Sequence, residues 1–296
     1  ASRCVPKHSL QAIARNHQSS HQWTAKRKQE MIKLLNARLP GEISLRLNEW
    51  QAEVEIAGDY AKQVTAAKKL FDRYSSRKEF ATIRQTLARM CAGPRRCCYC
   101  EDSVADEVEH IKPKDLYPSL VFVWINYLYS CGRCNGGKRE RFAVYTRTGE
   151  FKDITRPRNA PVLPPTTGKP VLIDPRREDA MRWLQLDLQF TFDFAPRFPR
   201  GTPEYKRAEY TIDVLKLNDR QELQRARRRA YENYRARLHE YIVHRDSQSP
   251  QSKLKSLRNG LKQESHPTVW AEMKRQHSVV KELYDLFSQA PEALNW

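Results

Sequence analysis

Two Cys-x-x-Cys pairs, Cys97/Cys100 and Cys131/Cys134, stand 30 residues apart in the chain. Each pair can chelate one metal from a tight turn, and four thiolates fill the tetrahedral shell of Zn²⁺. With every coordination position taken, such a site is structural rather than catalytic. One pair alone could be a redox dithiol, but that chemistry needs only one. Cys98 lies between ligands as a bystander, able to replace Cys97 if the turn is irregular. Cys91 and Cys4 read as ordinary thiols.

Between and just after the pairs come Glu109-His110, Asn126 and Asn135. Metal-assisted hydrolysis of a phosphodiester uses such a set. A neutral imidazole can take a proton from water near pH 7. A carboxylate and a carboxamide oxygen can hold one Mg²⁺, which keeps several waters and accepts a phosphate oxygen. The cation offsets charge on the scissile phosphate and on the leaving oxygen.

Positioning these groups requires particular elements. Glu109-His110-Ile111 alternates as a strand does, with Ile111 opposite His110. Asn126 to Tyr129 reads as a second strand. Ser130 is placed to cap a short helix, which sets Cys131, Cys134, Asn135 and Lys138 near one face. A zinc ion joining that helix to the Cys97–Cys100 turn would draw Asn135 toward the strand carrying Glu109 and His110.

The strings CCYC, EHIKPK and WINYLYSCGRCNGGK, with nine residues from Asn126 to Asn135, resemble the zinc-containing HNH nucleases of the ββα-metal group. The resemblance covers Cys97 to Phe142. It implies that His110 is the general base and Asn135 a ligand of a catalytic Mg²⁺ or Mn²⁺. It implies further that Glu109 binds the same metal, and that Asn126 ties the loop between the strands and orients the histidine. Asn135 stands where His is also found, and Glu109 where Asp is commoner. Lys138 is expected either at a phosphate backbone or as a solvated helix lysine.

The rest of the chain narrows the class. A formal charge of +18 over 296 residues favours a polyanionic partner, nucleic acid first. Six of seven cysteines crowd into Cys91–Cys134, which suits metal ligation in a reducing compartment better than a disulfide framework. No apolar run approaches the about 18 residues of a membrane span. The opening ASRCVPKHSLQAIARNHQ has no apolar core of the kind a signal peptide needs. A cytoplasmic chain with no membrane segment is expected.

Trp23 to Leu39 places Trp23, Met31, Ile32, Leu34 and Leu35 near one helical face, and Asn48 to Met90 continues at helical spacing, including Ile56, until Gly93-Pro94. Residues 150–175 read as a long Pro-rich connection. Leu184, Leu186, Leu188, Phe190, Phe192 and Phe194 recur at every second position, which predicts one strand. Asn218 or Asp219 is placed to cap a long helix reaching about His244, and Pro250, Pro267 and Pro291 punctuate two short ones after it. Along the long helix, Arg225, Arg228, Arg229 and Arg235 could form a face for nucleic-acid backbone, or a solvated face paired with acidic residues.

The expected fold is therefore α+β and mainly helical. A helical region spans 1–92, a zinc-stabilised ββα-metal module 93–145, a Pro-rich connection and strand segment 146–203, and a basic helical region 204–296. VLIDP (Val171–Pro175) and TIDVLKLND (Thr211–Asp219), with Arg225 or Arg227 following, are similar to the HNH effectors (PtuB) of Septu-type anti-phage defence and related retron systems. That resemblance implies an ABC-type ATPase partner of the PtuA kind. No G-x-x-x-x-G-K-[ST] loop is present in this sequence, so nucleotide switching would come from that partner. Hydrolysis would leave 5′-phosphate and 3′-hydroxyl ends on DNA. Two alternatives stay open: an RNA (tRNA) substrate, and a non-catalytic zinc-knuckle scaffold that binds nucleic acid or a partner.

Overall fold

Pro40, with φ at −54°, closes an irregular run over residues 36–40 and starts α1 (Gly41–Glu55). The computed structural model describes Leu34 and residues 36–296. Of the helix expected over Trp23–Leu39, Trp23, Met31, Ile32 and Leu35 lie outside the described residues. Its last residues, 36–39, are not helical.

The next expected run is three helices rather than one. α1 buries Ile43, Leu47, Trp50 and Val54, spaced to share one face. Gly58, at φ +111°, adopts a backbone that only glycine takes readily, and it separates α1 from α2 (Tyr60–Ser75). The Asp59 side chain then caps α2, accepting from the Lys62 N–H at 2.9 Å. Ile56, expected on the apolar face, falls past the end of α1 and is 83% exposed. α3 (Lys78–Met90) follows, burying Phe80, Ile83, Leu87 and Met90.

In the centre, β1 (Glu107–His110) pairs antiparallel with β2 (Tyr127–Ser130), Glu107 opposite Ser130 and His110 opposite Tyr127. A short helix, α4 (Gly132–Lys138), leads directly out of β2. Its N-cap is Cys131, not Ser130, which stays in the strand. Successive side chains of a strand point to opposite faces, and this hairpin uses both. Tyr127 and Tyr129 enter an apolar cluster with α1, α3, Val121 and Phe122, whereas Leu128 enters a second cluster that includes the four paired cysteines.

The expected Pro-rich connection contributes strands. β3 (Ala143–Tyr145) pairs on one side with β4 (Phe151–Asp153) and on the other with β5 (Lys169–Pro170). The expected strand over Leu184–Phe194 is instead a hairpin of β6 (Leu184–Leu186) and β7 (Phe194–Pro196). Asp187 causes the reversal. Its carboxylate accepts from the backbone N–H groups of Gln189, Phe190 and Thr191, an arrangement that competes with extended structure. Phe190 is consequently exposed, and Phe192 sits at φ +58°.

The C-terminal region is helical: α5 (Pro203–Val214), α6 (Gln221–Asp246), α7 (Gln251–Lys262), α8 (Pro267–Gln276) and α9 (Lys281–Gln289). Three helices, rather than two, follow the long α6. Arg220 is the N-cap of α6 and makes no side-chain cap bond. Asn218 is occupied elsewhere, with its amide bonded to both the N–H and the carbonyl of Phe194 at 2.9 and 2.8 Å. Asp219 pairs with Lys216. Among the described residues, no helix is long and apolar enough to cross a membrane.

Candidate active site

The four cysteines of the two pairs converge. Their sulfurs all lie within 4.8 Å of one another, with Cys100 and Cys131 at 3.9 Å, and all four residues are buried. Tetrahedral Zn²⁺ with bonds of about 2.3 Å sets its sulfurs about 3.8 Å apart, so the donor set fits zinc. Two donors are aimed at the sulfurs: the Tyr99 N–H to Cys97 at 3.5 Å and the Arg220 guanidinium to Cys134 at 3.4 Å. Both complement thiolate charge. Cys98 turns away and meets Cys91, 3.7 Å between sulfurs. The VLIDP and TIDVLKLND segments buttress this centre. Thr211 Oγ1 accepts from the Ile173 N–H at 3.1 Å, and the Leu215 carbonyl oxygen lies 3.9 Å from Cys134 Sγ. Gly137 lets α4 approach the end of α5, since a Cβ there would stand 3.2 Å from the Val214 carbonyl oxygen.

His110 ends β1 on the opposite side, in an aromatic setting. Its ring lies 4.5 Å from that of Phe71 and 5.2 Å from that of Tyr127, centroid to centroid. Nε2 lies 2.9 Å from the Val121 carbonyl oxygen. A carbonyl only accepts, so Nε2 carries the proton and the neutral ring keeps a lone pair on Nδ1. Burial, helped by the positive charge of Lys114, depresses the imidazolium pKa to about 3. Asn126 stitches the two ends of the intervening loop together. Its amide donates to the Lys112 and Leu120 carbonyls, both at 3.0 Å, and its oxygen accepts from the Lys112 N–H at 2.8 Å. Arg176, buried against Trp124, donates to the Tyr127 carbonyl at 2.9 Å and so fixes β2 from behind.

The other face of β1 presents two carboxylates to α4, and they differ. Glu109 is buried, 4% exposed, with Oε1 2.6 Å from Lys138 Nζ. Lys138 also donates to the His110 carbonyl at 2.9 Å and is itself wholly buried. This corrects both expectations for Lys138, which meets neither solvent nor a backbone-binding surface. Its spacing three residues after Asn135 carries it over the buried side of α4, where Glu109 neutralises it. Glu107, two residues earlier, is exposed and accepts from the Asn135 amide at 2.6 Å.

His110, Asn135 and Glu107 all line one cleft of about 670 Å³ together with Glu109, and its walls carry Lys114, Arg139 and Arg141 as well as the acidic Asp115 and Glu140. Sequence reasoning singled out the first two and missed Glu107. Strand alternation from Glu109 could have found it. It also missed Phe71, which α2 brings in, and the buried Asp115, which Lys68 of α2 pairs with at 2.5 Å. No local sequence signal joins residues that far apart.

The arginines of α6 do not act alike. Arg225 and Arg229 are exposed. Arg228 donates to the Phe190 carbonyl at 2.8 Å and stacks over Phe192, and Arg235 pairs with Glu282 and lies over Tyr231. Arg227 is buried, clamping the Phe192 and Leu217 carbonyls at 2.9 and 2.7 Å.

A segment of the chain is related to a known protein. Over 57 residues it is 49% identical to "Septu protein PtuB" of Bacillus thuringiensis, a match covering 18% of this chain and 22% of that protein. The chain thus matches about a fifth of that relative's length. No protein-family model matches the chain, and no solved structure does.

Proposed function

We propose that this chain is a metal-dependent HNH endonuclease, the cutting component of a Septu-type anti-phage system, acting on DNA with an ABC-type ATPase partner. The convergence of His110, Asn135 and the β1 carboxylates on one cleft that also carries Lys114, Arg139 and Arg141, beside a four-cysteine cluster that fits zinc, carries the reading. The partial identity to PtuB supports the defence role and the partner.

In this reading the neutral His110 takes a proton from the attacking water at Nδ1, while its Nε2–H stays on the Val121 carbonyl. The wall formed by Phe71 holds the ring in place. Asn126 keeps the loop that supplies Val121 closed. Asn135 and a carboxylate of β1 would hold Mg²⁺ or Mn²⁺, a set of hard oxygen donors suited to either ion. When bound, that ion supplies charge stabilisation at the scissile phosphate. Lys114, Arg139 and Arg141 attract the backbone. Zinc held by Cys97, Cys100, Cys131 and Cys134 would take no part in the reaction and would keep α4 against β1.

The decisive experiment is nicking of supercoiled plasmid with Mg²⁺ or Mn²⁺, alone and with the neighbouring ATPase. His110→Ala should abolish cleavage while zinc content and fold persist. Undiminished cutting by that variant would sink the mechanism. Cleavage of tRNA but not plasmid would move the substrate to RNA, and cleavage of neither would leave a zinc-knuckle scaffold.

A further inference from the structure

The two carboxylates of β1 divide their work, and we infer that Glu107, rather than Glu109, is the one that joins Asn135 in holding the catalytic cation. The inference rests on the nuclease reading and names a ligand within it. Glu109 and Glu107 project from the same face of the strand, two residues apart, toward successive parts of α4. What each meets there is set by the helix. Glu109 reaches Lys138, and the pair is almost wholly enclosed, 4% and 0% exposed at the side chains. A buried ammonium needs a counter-charge, because leaving either partner alone costs several kcal/mol. Glu109 also borders the cleft, but a cation there would compete with Lys138 for its carboxylate and weaken the only counter-charge the buried ammonium has beside the His110 carbonyl.

Glu107 has no such obligation. It stands open to the cleft, and its Oε2 is 2.6 Å from the amide nitrogen of Asn135. An amide turned over presents its oxygen at the same place, so the two side chains bring two oxygen donors together. Neighbouring oxygens around Mg²⁺, bound at 2.0–2.1 Å, lie about 2.9 Å apart, close to that spacing. The space is also kept for it. Gly132, at the start of α4, has no side chain, and a Cβ there would come within 2.9 Å of Glu107 Oε1. Glu109 thereby becomes a positioning residue: through Lys138 it holds α4 to β1 and steadies the backbone of His110.

Mn²⁺ titration of the zinc-loaded full chain, followed by electron paramagnetic resonance of the free ion, separates the roles without relying on cleavage. Glu107→Gln should weaken Mn²⁺ binding by about tenfold or more, with zinc content and circular dichroism unchanged. The paired change Glu109→Gln with Lys138→Met removes the buried ions together and so avoids an uncompensated charge. It should leave Mn²⁺ affinity within about threefold of the parent. If Glu107→Gln binds Mn²⁺ as the parent does, or the paired variant loses it, the assignment to Glu107 is overturned while the nuclease reading stands. If the parent itself binds no Mn²⁺, both fall.

Discussion

The two faces of the β1–β2 hairpin are held by different physics. Val108, His110, Tyr127 and Tyr129 lean on the amino-terminal helices, where Trp50, Phe71, Phe80 and Phe122 stack and cross at ring separations of 5–6 Å, for example 5.6 Å between Trp50 and Phe122. Glu107, Glu109 and Leu128 face α4, which the four-cysteine centre ties to the chain. Apolar packing is shared over many contacts, so losing one ring is felt in proportion to its size. Coordination is concentrated, and losing one ligand removes the whole site. The base of the proposed reaction therefore sits on the graded side and the metal-binding groups on the all-or-none side.

Cys131→Ser should give the largest effect. Zinc and ordered structure should vanish together, seen by metal analysis and by far-ultraviolet circular dichroism. A variant that stays folded without zinc would place the stability of α4 in packing instead. Next is Lys138→Met, which leaves Glu109 charged and enclosed and should cost about 3–5 kcal/mol in urea unfolding. Adding Glu109→Gln should recover most of it; no recovery would mean that Lys138 acts through the His110 carbonyl alone. On the aromatic side, Phe122→Ala should cost about 3 kcal/mol while the folded fraction keeps its zinc. Zinc loss in step with that variant would show the two faces to be one cooperative unit.

Acid gives a smaller and directional test. His110 has its pKa lowered from 6.5 to about 3 in the fold, chiefly by burial. Below 6.5 the unfolded chain binds a proton that the folded chain refuses until about 3, so stability held above 6.5 drains away across that window. His110→Phe should flatten that slope relative to the parent between pH 6.5 and about 3, the interval between the ordinary and the folded value. An unchanged slope would place the acid sensitivity elsewhere. The smallest effect expected is from Arg235→Ala, about 0.5 kcal/mol, because its pairing with Glu282 is partly solvated.

The four-cysteine cluster was legible because Cys-x-x-Cys spacing is a local requirement of chelation, and each pair needs only its own turn. That His110 and Asn135 would come to one cleft was legible for a similar reason, their neighbours lying within a short motif. Lys138 was misread because helical spacing tells which residues share a face but not what that face meets. The alternation from Leu184 to Phe194 predicted one strand and yielded a hairpin, because Asp187 bonds the backbone locally and outcompetes the pattern. Asn218 was a plausible cap by type, yet the chain spends its amide on Phe194.

What the residues determined on their own is the chemistry available: four thiolates for zinc, an imidazole, carboxylates and amides in one short span, and a surplus of positive charge. Only the tertiary structure decided that, of two carboxylates bordering the cleft from one strand, Glu109 is buried against Lys138 and Glu107 stays exposed beside Asn135. It also decided that a phenylalanine 39 positions before His110 in the sequence forms its wall. The reason is that ligand type and spacing are properties of a few adjacent residues. Burial, tautomer and charge pairing depend on what distant segments bring to the same place, and free energy there is set by the whole surroundings.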